Sequence, residues 1–143
     1  MTLGHGIYFI QVGEDKRNCG RNFVEDMTLR PKTIYRHPQG FHVSPYQSGW
    51  LVEKIGDKYK LKANHVDTGV YRGYVSAFLL AEMAPGELGW ILEPAGEENW
   101  YYIKSLDGKG GWKVENPSGS DLSKIIVADN PDKFHFVAIH EEY

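Results

Sequence analysis

The chain has a single cysteine, Cys19, in 143 residues, so no internal disulfide can form and any rigid surface feature must be held by packing and hydrogen bonds. Long apolar runs are missing too. Residues 75–84 come nearest, but Glu82 interrupts them and they fall well short of the roughly 20 residues that span a bilayer. The opening Met1-Thr2-Leu3-Gly4-His5-Gly6 has neither the basic start nor the apolar stretch of a secretory leader. A cytoplasmic protein with no membrane partner is therefore expected. Nor is there an excess of basic residues. With 16 Lys and Arg against 19 Asp and Glu the formal net charge is -3, which gives no reason to expect nucleic acid as a partner. Lys16, Arg17 and Arg21 are the nearest thing to a basic patch and read as a solvated loop.

Patterns that carry chemistry are equally scarce. His5, His37, His42, His65, His135 and His140 have no metal-ligand spacing, and His135, between Phe134 and Phe136, is expected to be exposed on the opposite face. There is no phosphate-binding loop, nucleotide fingerprint or Gly-x-Ser-x-Gly elbow. Glu14 with Asp15, and Glu97 with Glu98, are adjacent loop acids, not a pair set across a cleft. Gly108-Lys109-Gly110-Gly111 precedes Trp112 and Val114 and reads as a hairpin turn. Cys19, between Asn18 and Gly20, sits near an expected turn and reads as a buried or incidental thiol. The expectation is no enzyme, no metal and no cofactor.

What the chain does have is aromatics and glycine: Tyr 9, Phe 6, Trp 4 and Gly 16, a balance suited to pleated sheets joined by tight turns. Residues 7–12 alternate Tyr8, Ile10 and Val12 with Ile7, Phe9 and Gln11, the period of a strand. Further strands are predicted over 21–24, 32–36, 50–55, 58–63, 70–74, 75–80, 90–93, 100–104, 111–114, 124–128 and 134–139, which makes twelve. A repeat supports the count. Gly49-Trp50-Leu51-Val52-Glu53 returns as Gly89-Trp90-Ile91-Leu92-Glu93, and Lys133-Phe134-His135-Phe136-Val137 is a degenerate third copy. Tyrosine-centred strands recur alongside them, in Lys58-Tyr59-Lys60-Leu61, in Trp100-Tyr101-Tyr102-Ile103 and in Gly6-Ile7-Tyr8-Phe9-Ile10 at the start. One four-strand unit cannot bury its apolar face alone, so three are expected to pack about an axis, with Trp50, Trp90 and Phe134 in equivalent core layers. That is an all-β chain of the β-trefoil kind, twelve strands in three pseudo-repeats, with residues 1–143 as one domain and no feature that demands more than a monomer.

One stretch carries a family likeness. Gly20-Arg21-Asn22-Phe23-Val24-Glu25-Asp26-Met27-Thr28-Leu29-Arg30-Pro31-Lys32 resembles the Gly-Arg, Glu-Asp-x-Ser/Thr-Leu-x-Pro-Lys stretch of mushroom β-trefoil serine protease inhibitors. Trp50-Leu51-Val52-Glu53-Lys54 with Tyr59, then Phe78-Leu79-Leu80, Trp90 and Gly111-Trp112, follow in the family's order. The resemblance implies a fungal inhibitor whose partner is a serine protease of chymotrypsin, subtilisin or trypsin type, serving defence or control of the fungus's own proteases. It also implies that the loop between the second and third strands, residues 24–31, carries the reactive residue, and Met27 stands at the position free to vary.

The residues themselves suit that role. An inhibitory loop must present substrate-like backbone while losing little entropy on binding. Pro31 fixes one end and keeps Arg30 extended, Glu25, Asp26 and Thr28 can accept hydrogen bonds that brace the turn, and Asn22 supports its start. The expected contact residues are Glu25, Asp26, Met27, Thr28, Leu29 and Arg30, with Asn22 and Pro31 as support. Met27 suits an apolar pocket better than an acid-floored one. Two alternatives stay open: Met27 packed inward as an anchor, and Arg30 or Lys32 as a basic anchor for a trypsin-like enzyme. A second loop is expected at His65-Val66-Asp67-Thr68-Gly69, next to Tyr71 and Arg72. Two other functions also remain: a carbohydrate-binding trefoil using Tyr101, Tyr102, Trp112 and Asp107, and a cysteine protease inhibitor using Gly4 to Gly6 and the Gly69 region.

Overall fold

The structure is a computed structural model that describes residues 3–22, 24–40, 48–119 and 121–139; Phe23, His42 and His140, named above, lie outside the described residues. Strict alternation makes the strands: in Lys58-Tyr59-Lys60-Leu61-Lys62-Ala63 every second side chain is buried and the lysines stay at the surface. Among the described residues there are twelve strands: β1 (Gly6–Val12), β2 (Arg17–Arg21), β3 (Lys32–Arg36), β4 (Trp50–Ile55), β5 (Lys58–Ala63), β6 (Val66–Tyr71), β7 (Tyr74–Ala77), β8 (Ile91–Pro94), β9 (Trp100–Lys104), β10 (Gly111–Val114), β11 (Ser123–Ala128) and β12 (Lys133–Ala138). A short 3-10 turn, Ala81–Met83, follows β7.

The pairings sort the strands into a ring and a cap. β1 pairs with β4, β4 with β5, β8 with β9, β9 with β12, and β12 with β1, all antiparallel. The ring closes between β5 and β8 through reciprocal bonds of Tyr59 and Trp90, each N–H reaching the other's carbonyl at 2.8 Å. The other six strands form the hairpins β2–β3, β6–β7 and β10–β11, and these pair with one another through β3–β7, β7–β11 and β3–β11. Closure satisfies the backbone of strands that would otherwise be free edges.

Trp112, fully buried, lies where the repeats converge. Its ring centroid is 5.5 Å from Trp50, 5.4 Å from Trp90 and 5.5 Å from Phe134, the three residues that the repeat places in equivalent layers. Gly111 lets this strand come close: a Cβ there would sit 2.8 Å from the Ile103 carbonyl oxygen and 2.9 Å from Pro131. Trp50 donates its indole N–H to the Cys19 carbonyl at 2.8 Å, and Trp90 donates to the Thr68 hydroxyl at 2.9 Å.

Five expectations need correction. The second strand is Arg17–Arg21 and not 21–24, so Asn18-Cys19-Gly20 is strand; the turn before it is at Gly13, whose carbonyl accepts the Lys16 N–H at 3.1 Å. The sixth strand is Val66–Tyr71, with Arg72 and Gly73 (φ 53° and 84°) making the tight turn to β7. The apolar run after it ends at Ala77 as a strand, not at Leu80. His135 is half-buried and stacks on Trp100 at 4.8 Å between centroids. Arg17 is likewise buried, so the expected basic loop patch does not form.

Replacing Trp112 by alanine removes the group that all three repeats touch. Trp112→Ala is expected to cost about 3–5 kcal/mol in denaturant unfolding, the usual range for deleting a buried aromatic.

Candidate functional site

The three cap hairpins close in different ways. β6–β7 uses the two-residue Arg72-Gly73 turn. The β10–β11 connection is gripped by buried arginines: Arg17 donates to the Gly119 and Asp121 carbonyls at 3.0 Å each, and Arg36 to those of Pro117 and Gly119 at 3.2 and 2.7 Å. In the β2–β3 connection, by contrast, residues 26–30 are all exposed.

Side chains of that segment and of the strands at its base hold it. At the entry, Arg21 makes a two-pronged pair with Glu25, Nε to Oε2 at 3.0 Å and Nη2 to Oε1 at 2.7 Å. Asn22 Oδ1 accepts the Val24 N–H at 3.4 Å. At the tip, Asp26 Oδ1 accepts the Thr28 N–H at 3.0 Å, the Thr28 hydroxyl, and Lys32 Nζ at 2.5 Å. Lys32 Nζ also donates to the Asp26 carbonyl at 3.3 Å and to Thr28 Oγ1 at 3.4 Å, and Thr28 Oγ1 accepts the Arg30 N–H at 3.4 Å. The residues on either side of Met27 are thus tied to each other and to one cation at the start of β3. Hydrogen bonds from Lys32, then from Thr28, hold the Asp26 carboxyl far below the usual carboxylate range.

Met27 is left pointing at water. It is 99% exposed, Val24 82% and Leu29 58%, the three most exposed large apolar side chains among the described residues. The inward-packed alternative for Met27 is therefore wrong. Lys32 is corrected as well: its side chain is only 6% exposed and is spent on Asp26, so it cannot reach into an enzyme. Arg30 remains exposed, and Pro31 is half-buried at the base of the loop. Glu25 takes its bonds from the Arg21 guanidinium, where backbone donors were expected. The sequence reading missed Arg21 and Lys32 as supports. Their signal was spacing: Arg21 stands four residues before Glu25, and Lys32 six after Asp26.

Several of the other candidate positions are committed to the fold. Val66 to Gly69 belong to β6; Thr68 is buried, with its hydroxyl donating to the Leu61 carbonyl at 2.6 Å, and Gly69 packs against Leu88 and Phe78. The sugar platform is not assembled either. Trp112 and Tyr101 are buried, and Asp107 is engaged by Ser105 Oγ at 2.6 Å and the Lys109 N–H at 2.9 Å in the β9–β10 turn. Cys19 is fully buried, and burial pushes its thiol up, out of nucleophilic range at neutral pH. Among the described residues no group of three or more His, Cys, Asp or Glu could hold a metal ion.

A carboxyl lowered by folding contributes its full stabilisation above its unfolded value, ~3.9, and loses it as pH falls towards the folded one. The Asp26 clasp is thus expected to be intact at every pH above about 4. A carbon-detected NMR titration should place the Asp26 midpoint well below ~3.9, and Lys32→Met should move it back up.

The chain can now be set against known proteins. Residues 1–133 match the model of the peptidase inhibitor I66 family. A serine protease inhibitor of Lentinula edodes is 32% identical over 138 residues, which cover 93% of this chain and 92% of that one. Among solved structures, a proteinase inhibitor from Coprinopsis cinerea superposes with a TM-score of 0.79 at 24% identity, covering 96% of this chain and 100% of the other. A ricin B-like lectin of Macrolepiota procera in complex with lactose shares the fold, with a TM-score of 0.68 at 10% identity over 97% of this chain and 100% of the lectin. A whole-chain family match and a full-length relative above 30% identity leave one assignment: the chain belongs to the peptidase inhibitor I66 family, whose members inhibit proteases and are not themselves enzymes.

Proposed function

We propose that this chain is a β-trefoil inhibitor of serine proteases that places residues 24–30 in the enzyme cleft and Met27 in the primary specificity pocket. One observation carries the reading: Met27 is 99% exposed while both its neighbours, Asp26 and Thr28, are fastened to each other and to Lys32. The trefoil name rests on the ring of six strands, the three cap hairpins and their convergence on Trp112.

The clasp explains how a cleavable-looking segment would inhibit. The bond at risk is Met27–Thr28, and Asp26 on one side is bonded to Thr28 on the other. After hydrolysis the new ends would stay together, so cutting gains little chain entropy and the reverse reaction stays fast. A free peptide of the same sequence would have no such tether and would be consumed. Rigidity also lowers the ordering cost of binding, so more of the contact energy appears as affinity.

Met27 also selects the enzyme. An unbranched thioether fills a deep apolar pocket, whereas an acid-floored pocket would bury an unpaired carboxylate beneath it. The target is therefore chymotrypsin- or subtilisin-like. Arg30 is a poor rival, because the bond after it leads into Pro31, which cannot present a normal amide.

Inhibition constants against chymotrypsin, subtilisin and trypsin test this. Met27→Asp should weaken inhibition of the first two by about 100-fold or more, since a carboxylate is costly to bury in an apolar pocket; Arg30→Ala should change it little. Loss of trypsin inhibition in Arg30→Ala, with Met27→Ala unchanged, would show that the wrong residue has been chosen. Asp26→Ala should still bind, yet it should turn over: mass spectrometry should find it cut after Met27 and inhibition fading within hours, where the unaltered protein persists.

A further inference from the structure

The outward side chains of the loop follow a pattern that Met27 alone does not explain. Single exposed apolar residues are ordinary on a protein surface, but a cluster of the most exposed ones on a single loop marks a binding surface. Val24 is 82% exposed, Met27 99% and Leu29 58%; the next, Ile55, is 51% exposed and lies on β4.

The residues between them are the ones held by side-chain hydrogen bonds. Glu25 is held by Arg21, Asp26 by Lys32 and Thr28, and Thr28 by Asp26. Both acids of the segment are thus paired with cations of the scaffold, and although Asp26, Thr28 and Arg30 are also exposed, the large apolar side chains there, Val24, Met27 and Leu29, all reach solvent. Counted from the Met27–Thr28 bond, the free apolar side chains are the fourth residue before it, the first before it and the second after it. The third and second before it and the first after it are tied down.

We propose that Val24 and Leu29 are specificity residues, and that the partner is a subtilisin-type serine protease with apolar pockets for the fourth and first residues before the bond and the second after it. This rests on the assignment of Met27 to the primary pocket. A cleft that encloses the fourth residue before the cut in an apolar pocket, the form proposed for the subtilisin-type partner, would gain from Val24, whereas one that leaves that residue near the surface, the form taken for chymotrypsin, would not. Val24 therefore separates two enzyme classes that Met27 does not. An apolar side chain placed in a fitted pocket typically discriminates by about 10-fold or more.

The test is a set of inhibition constants for Val24→Ser, Val24→Phe, Leu29→Ser and Met27→Asp against subtilisin and chymotrypsin, with thermal melts to confirm folding. Val24→Ser should weaken inhibition of subtilisin by about 10-fold and that of chymotrypsin by less than about 3-fold, and Val24→Phe should restore or tighten the former. Leu29→Ser should weaken both. If Val24→Ser and Val24→Phe leave subtilisin inhibition unchanged while Met27→Asp abolishes it, this inference falls and the assignment of Met27 stands. If Met27→Asp leaves inhibition intact, the assignment of Met27 falls and takes the inference with it. A wild-type protein that blocks chymotrypsin and ignores subtilisin overturns the inference directly.

Discussion

The packing of three side chains against one indole is the constraint on which the architecture turns. Trp50, Trp90 and Phe134 come from corresponding places in three four-strand units, and Trp112 touches all of them at almost equal distance. None of the units has an apolar face that it could cover by itself. The ring is completed by a single two-bond bridge at Tyr59 and Trp90, so the closure relies on convergence at the centre more than on ladder hydrogen bonds at the seam. Two of the three layers also have indole N–H groups bonded to groups of the cap, the Cys19 carbonyl and the Thr68 hydroxyl, which couples ring to cap.

That rigid body leaves the cap connections free to differ. Two are committed to the fold: one is a minimal turn, and the other is clamped by Arg17 and Arg36, buried cations that find backbone carbonyls as partners. The third is longer and self-supporting. Its anchor, Lys32, is the first residue of β3 and pairs across to Ala77 in the cap, so the clasp is fastened to the sheet. Shape at the tip therefore comes from polar side chains at fixed positions, and the fold itself asks nothing of the outward ones.

The sequence shows much of this, for identifiable reasons. Where alternation is strict and both ends are punctuated, as in Trp50–Ile55, Lys58–Ala63, Trp100–Lys104 and Gly111–Val114, strand limits agree with those expected. β2 is displaced because Asn18-Cys19-Gly20 has the composition of a turn. Its small residues instead serve close packing: a Cβ on Gly20 would meet His37 Nε2 at 3.3 Å and Ser48 Oγ at 3.4 Å. β6 is displaced because Asn64 and His65, both in the left-handed region at φ 50° and 65°, make the turn themselves, so the strand starts at Val66, four residues earlier than expected. Trp112 reads equally well as core or as a surface platform, since burial of an aromatic depends on contacts far away in sequence. The loop's place between the second and third strands was legible; whether Met27 faced outward was left open, and the inward roles of Arg21 and Lys32 were hidden, because a surface cation and a buried, paired one are the same letter.

The division of labour within the loop has an evolutionary consequence. The residues that hold its shape (Arg21, Glu25, Asp26, Thr28 and Lys32) are distinct from those free to touch a partner (Val24, Met27 and Leu29). Drift at the second set would leave the first set and the barrel undisturbed. Were this loop to meet the protease as proposed, an inhibitor lineage could change its target by single substitutions, without first acquiring compensating changes elsewhere.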